Sequence, residues 1–333
     1  MKFQCIIICM FATSIAAYTQ SGNLTNAHKK EIIDSINYQL KDKYVLEKMA
    51  DLMAKDLLKR HKRGEYKTIT DKTVFADSLK SHLFTVSRDK HIGVAYDEEK
   101  AARLRSPSKK EDPAEKFNRV NERVRKFNYG FEELKILENN IGYIKITAFA
   151  PTLYGGKTAS SAMQFVSNCD ALIFDLRNNF GGDPTMIQLL ISYLYSDEPV
   201  HLIDFYHKKE NTTTQSWTLP YVDGERMPNV PVYVLTDHKT ISAGEEFAYD
   251  LKNLGRATIV GETTAGAANF GEEFNSSGNF IVWVPTGKAI SPITKTNWEG
   301  KGVEPNVKVK ANEALDTAYK LALEKINPNL KSH

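Results

Sequence analysis

Two turns in this chain carry residues whose types and spacing could do chemistry. The first reads Thr240-Ile241-Ser242-Ala243-Gly244-Glu245, after one apolar run and before an amphipathic one. A serine there opens a helix, where its hydroxyl projects from the turn beside the first free amides. Nucleophilic attack is one use of that arrangement. The other is local: Ser242 and Glu245 spell S-x-x-E, the capping box, in which the serine only caps the helix. The segment also lacks the G-x-S-x-G elbow of α/β-hydrolases, so both readings stand on spacing alone. The second turn is Asp175-Leu176-Arg177-Asn178-Asn179-Phe180-Gly181-Gly182. Paired glycines let the backbone turn tightly and expose amides that can hold an anion or a developing oxyanion. An ordinary strand-to-helix turn would have the same composition.

A serine nucleophile needs a base, and the base needs an orienting group. Of the eight histidines, His91 stands in Arg88-Asp89-Lys90-His91-Ile92-Gly93, at the entry to a strand. His238 lies four residues before Ser242 and is the one that proximity would choose. Glu299, in Trp298-Glu299-Gly300-Lys301-Gly302-Val303, is an acid beside a turn. Residue type alone assigns none of them a role. No H-E-x-x-H, paired Cys-x-x-Cys or P-loop pattern occurs, so no metal site, nucleotide or other cofactor is expected.

The elements that must position these residues fall into two grammars. Residues 25–85 read as three amphipathic helices: Ile32, Ile33, Ile36 and Leu40 share one face, and Met49, Leu52, Met53, Leu57 and Leu58 share another. Val74, Phe75, Leu79, Leu83 and Phe84 form the third. Residues 92–96 alternate like a strand. Residues 98–128 are dominated by Lys, Arg and Glu and read as a solvated linker with one helix over 113–127. From about residue 136 the pattern becomes α/β. Strands are predicted at 144–148, 171–176, 232–236, 257–261 and 280–284, and helices at 158–166, 184–195, 242–254 and 313–324. The runs Ala171-Leu172-Ile173-Phe174 and Val232-Tyr233-Val234-Leu235 are continuously apolar, as for strands covered on both faces. The expected organisation is a signal segment over 1–20, a helical bundle over 21–88, a strand with a charged linker over 89–135, and an α/β catalytic domain over 136–333.

A net charge of +3 over 333 residues, with no basic stripe, argues against a nucleic-acid partner. The N-terminus has Lys2, a short apolar core over residues 3–12 and small residues around Ser14 and Ala16, the pattern of a secretory signal with cleavage between Ala16 and Gln20. The apolar run is short for a bilayer span and no other segment reads as transmembrane. The expected location is therefore periplasmic or secreted. Cys5 and Cys9 would leave with that segment, and Cys169, just before an apolar strand, reads as a core residue.

Taken together and in order, these segments resemble the tail-specific, or carboxyl-terminal-processing, serine peptidase family. The resemblance is to its branch similar to interphotoreceptor retinoid-binding protein and the tricorn catalytic core. Its further landmarks are Asn140-Ile141-Gly142-Tyr143-Ile144, Val260-Gly261-Glu262-Thr263-Thr264-Ala265-Gly266 and Gly302-Val303-Glu304-Pro305. The resemblance implies a crotonase-like (ClpP-like) α/β catalytic domain with a twisted central sheet behind a small helical bundle. The stretch from Asp97 to Lys135 is too short for the PDZ domain many members carry. Members with a Ser-Lys dyad have their lysine where this chain has Ala267, and an alanine takes no proton. The tricorn-like alternative implies Ser242 as nucleophile, His91 as base and Glu299 as the acid behind it. The amides of Ala243 and of Gly181 or Gly182 would form the oxyanion hole. The implied partner is a peptide or protein substrate, with the oligomeric state left open. The rival on the same scaffold is a non-catalytic binder of apolar ligands or peptides.

Overall fold

A computed structural model describes residues 24–106 and 112–328. The expected signal segment, with Cys5 and Cys9, lies outside the described residues. At the centre is a six-stranded sheet in the order β12-β8-β7-β4-β3-β2. It is built from β2 (Phe131–Leu137), β3 (Ile141–Ile146), β4 (Ala171–Asp175), β7 (Val232–Thr236), β8 (Ala257–Gly261) and β12 (Val307–Lys308). All neighbours are parallel except β2, which runs antiparallel to β3 on the edge. The chain steps from β3 to β4, β7 and β8 in one direction, so right-handed crossovers place the intervening helices on one face. Those helices are α6 (Thr152–Phe165), α7 (Pro184–Ser192) and α8 (Ala243–Asn253), and α9 (Ala314–Ile326) covers the other face.

The period-two rule of strands is visible in how the sheet divides its side chains. Leu172, Phe174, Val232 and Val234 pack with Met186, Leu190 and Phe247 on the three-helix face. Ala171, Ile173, Tyr233 and Leu235 pack against Ala314, Ala318 and Ala322 of α9, where small residues let that helix lie close to the sheet. Burial on both faces explains why β4 and β7 are apolar throughout. The turns that follow β4 and β7 are the two chemistry-bearing segments, and they emerge side by side because those strands are neighbours.

Two antiparallel sheets flank this core. One contains β11 (Gly287–Ile290), β5 (His201–His207) and β6 (Thr212–Trp217); the other contains β1 (Gly93–Tyr96), β10 (Phe280–Pro285) and β9 (Gly271–Asn275). The expected bundle is present as α1 (Asn26–Lys43), α2 (Glu47–Lys62) and α3 (Lys72–Ser87). Its core does not stop at residue 88, because Ile92 and Val94 share it with Phe280, Val282 and Val284 of β10. Nor is the charged stretch only a linker: α4 (Glu98–Arg105) precedes α5 (Pro113–Arg125), with Asp97 and Asp112 as their N-caps. The strands β2, β5, β6, β9 and β11 escape the sequence pattern because charged or polar residues interrupt their alternation. No described helix is long and apolar enough to cross a membrane.

Candidate active site

Ser242 adopts φ 58° and ψ −121°. An ordinary N-cap residue sits in the β region, and a non-glycine residue with positive φ is strained unless its surroundings hold it. They do so here. Ile241 N donates to the Asn179 carbonyl at 3.0 Å, and Ser242 N donates to Glu245 Oε2 at 2.9 Å. The second bond is the return half of the capping box, so the S-x-x-E spacing does have a structural use. The strained serine goes beyond what capping requires.

The glycines fall into distinct roles. A Cβ on Gly181, at φ 88°, would lie 2.8 Å from Ser242 Cβ and 3.3 Å from Ala243 N. Only glycine lets that backbone come so close to the serine. Its N–H donates to Asn179 Oδ1 at 2.8 Å, so of the two expected alternatives Gly181 is committed elsewhere. The N–H of Gly182 makes no hydrogen bond among the described residues, and Ala243, as the first residue of α8, has an amide with no intrahelical acceptor. Gly182 and Ala243 both line a cleft of about 280 Å³ with Ser242 and His91. Asn179 organises this corner: fully buried, it donates from Nδ2 to the Ile146 carbonyl at 2.8 Å while Oδ1 receives Gly181.

His91 reaches the cleft because β1 pairs antiparallel with β10, matching Gly93 to Trp283. The residues around it pin the loop. Lys90 Nζ donates to the Ala265 carbonyl at 2.6 Å, and His91 N donates to Asp89 Oδ1 at 2.9 Å. Asp89 is buried, and its Oδ2 accepts from Tyr44 Oη at 2.9 Å and from Asn269 Nδ2 at 3.1 Å. Burial lowers the His91 pKa below the usual histidine range, while the Asp89 charge and the Asn269 carbonyl pull it back. The ring is therefore held neutral near pH 7, the state a base needs. Its Nδ1 is enclosed without a hydrogen-bond partner among the described residues.

Glu299 sits behind this group and does not line the cleft. It accepts from Ala268 N at 2.6 Å and Asn269 N at 3.0 Å. Burial, with the neighbouring Asp89 charge, pushes its pKa up to about 7 against those two amides. Asp89 is thus the acid that is bonded to the His91 backbone and whose charge raises the ring's pKa, while Glu299 is bonded to the Ala268 and Asn269 amides. The family resemblance implied Glu299 and left Asp89 unassigned, although Asp89 is only two residues from His91. Tyr44 and Asn269 carry no sequence signal at all. His238, the histidine nearest Ser242 in sequence, is exposed and bonds Glu262 at 3.0 Å instead.

The segment 264–269 ties the site together. Glu245, fully buried, accepts from Gly266 N and Thr264 Oγ1 on one oxygen, each at 2.5 Å. Its other oxygen accepts from Ala267 N at 2.8 Å and from Ser242 N. Trp298 Nε1 donates to the Ala267 carbonyl at 2.9 Å. One loop therefore receives the serine turn, the histidine loop and Glu299 together. Cys169 is buried, and burial raises its thiol pKa, as for a core residue.

Comparison with known proteins identifies the family and the fold. Residues 140–309 match the family described as Peptidase family S41, and residues 23–129 match the N-terminal domain of that family in eukaryotic IRBP. Among curated relatives, carboxyl-terminal-processing peptidase 3, chloroplastic, of Arabidopsis thaliana is 27% identical over 191 residues, covering 57% of this chain and 35% of that protein. The carboxyl-terminal-processing protease of Synechocystis sp. is 31% identical over 155 residues, covering 46% of this chain and 34% of that protein. The chain thus spans about a third of the length of these relatives. Among solved structures, mature CPAF complexed with lactacystin superposes with a TM-score of 0.63 at 14% identity, covering 91% of this chain and all (100%) of that one. The tricorn protease gives 0.56 at 13% identity, covering 90% of this chain and 37% of that one. At those identities the likeness is one of fold.

Proposed function

Because the chain belongs to peptidase family S41, we propose that it is a serine peptidase that cleaves peptides or protein tails with Ser242 as nucleophile. His91 takes the serine proton as the hydroxyl oxygen attacks the substrate carbonyl, and returns it to the leaving amine. Asp89 steadies the charged imidazole, with Glu299 behind it. The amides of Ala243 and Gly182 receive the oxyanion; such a donor is typically worth about 3–4 kcal/mol of barrier. The observation that carries this reading is the strained Ser242, at φ 58° and ψ −121°, facing the same cleft as His91. Strain of this kind persists where function uses it. A second cleft of about 510 Å³ shares His207 and Phe270 with the first, and offers an extended chain a path away from the serine.

The test is labelling with a fluorophosphonate, followed by mass spectrometry of the tryptic peptides. Modification at Ser242, lost in Ser242→Ala and slowed in His91→Ala, supports the proposal. No modification of a folded wild-type protein would leave the scaffold as a binder of apolar ligands or peptides. Export is the second part of the proposal, motivated by the signal-like residues 2–17. N-terminal sequencing of the mature protein should find a start between residues 17 and 21. A retained Met1 in the cell interior would refute it.

A further inference from the structure

Glu246 stands in the first turn of α8, four residues after Ser242, and lines the same cleft as the serine. It is 7% exposed and has no hydrogen-bond or ion-pair partner among the described residues. A carboxyl group so deeply placed is costly unless something pairs with it. Its electrostatic neighbours make this worse. Asp183 faces it, and Asp250 lies four residues along the helix with both oxygens enclosed and unpartnered. Among the described residues no Lys or Arg lines the cleft. Without a cation, burial and Asp183 push the Glu246 pKa up to about 8. The remaining walls include Phe205, Phe270 and Trp298.

We propose that Glu246 is a specificity-determining residue that selects a lysine or arginine side chain at the substrate position contributing the scissile carbonyl. The inference rests on the peptidase reading, since that side chain enters beside the serine under attack. A long aliphatic stem with a terminal cation matches the cleft: the stem lies along the aromatic walls and the charge reaches the carboxyl group. A bound metal ion is a poorer match, because no three His, Cys, Asp or Glu side chains among the described residues are grouped to hold one. A short acidic or polar side chain would leave Glu246 unpaired.

The experiment digests a peptide mixture that retains internal Lys and Arg, prepared with a glutamate-directed protease. New cleavage sites are read by mass spectrometry for wild type and for Glu246→Gln. In wild type, Lys and Arg should precede the cleaved bond at least about ten-fold more often than Leu, Met and Phe, the scale of one charge-assisted hydrogen bond. In Glu246→Gln that ratio should fall to near one. Each ratio is internal to one protein, so partial unfolding of the variant cannot produce the change. Wild type without basic preference, or a preference unaltered in Glu246→Gln, overturns the inference while fluorophosphonate labelling at Ser242 still upholds the peptidase reading. Absence of both cleavage and labelling overturns the two together.

Discussion

Replacing Glu245 with glutamine changes one heavy atom and tests whether a buried charge holds the nucleophile in place. Four donors converge on this carboxylate. Ser242 N and Ala267 N meet one oxygen at 2.9 and 2.8 Å, and Gly266 N and the Thr264 hydroxyl meet the other at 2.5 Å. Burial raises its pKa, and those same donors pull it back. A glutamine has one acceptor oxygen. Its better orientation keeps Ser242 and Ala267 and turns the NH2 toward Thr264 and Gly266. The Thr264 hydroxyl, which already accepts from Val303 N at 2.7 Å, can rotate to accept a second bond. Gly266 N–H cannot adapt and is left buried against a donor. An orphaned buried donor costs about 1–3 kcal/mol, and losing the charge weakens the two surviving bonds by roughly another 1 kcal/mol in all. The total is about 2–4 kcal/mol. At about 2.1 cal/mol/K per residue over roughly 300 residues, that lowers Tm by about 3–6 °C. Weakening of the Ser242 N bond loosens the strained turn, and a shift near 1 Å costs on the order of 100-fold in rate. Thermal melting and the fluorophosphonate labelling rate together measure both effects. A Glu245→Gln protein with unchanged Tm and labelling rate would refute the reasoning, because it would mean that the carboxyl group is already neutral.

Gly181→Ala places a methyl group 2.8 Å from Ser242 Cβ at φ 88°, and should slow labelling by on the order of 100-fold. As a control, Gly156→Ala in α6 meets Thr152 Cβ at an ordinary 3.7 Å and should stabilise by about 0.5–1 kcal/mol without slowing labelling; equal labelling losses in both variants would sink the explanation. Labelling should also fall on acidification in two steps. Glu299 protonates near pH 7, and His91, its pKa lowered by burial, takes up its proton below the usual histidine value; in a coupled site these are steps of the group as a whole. Glu299→Gln should leave only the lower step, and an unchanged profile would remove Glu299 from the mechanism. Asp250 has a folded-state pKa raised well above its ordinary value, so between the two values the folded protein holds a proton that the unfolded chain has lost. Its contribution to stability therefore worsens as pH rises through that window. Asp250→Asn should be more stable than wild type at pH 8, with the gain shrinking toward pH 4 in denaturant titrations; a gain independent of pH would contradict this.

Much of the architecture is legible locally. Continuous apolar runs announce β4 and β7 because both faces of those strands are buried, and a run of residues records its burial directly. The helical faces of the bundle are legible for the same reason, except that Leu52, Leu58 and Val74, expected on those faces, are exposed. So is the start of α8 at Ser242, since cap chemistry is short-range. Identifying Ser242, His91 and Glu299 as partners needed the ordered family landmarks, because no local pattern links residues so far apart. Tertiary structure alone decided the rest. The register of β1 on β10 carries His91 into the cleft that Ser242 lines, and strand pairing across such a span depends on which edges are free after folding. The same packing joins Asp89 to Tyr44 and Asn269, and commits the Gly181 amide to Asn179 while leaving that of Gly182 without an acceptor among the described residues. It also leaves Glu246 buried in the Ser242 cleft without a hydrogen-bond partner among the described residues. In the sequence Glu246 is one more charged residue on an amphipathic helix; only the arrangement of the elements around it decides that, among the described residues, no Lys or Arg lines its cleft.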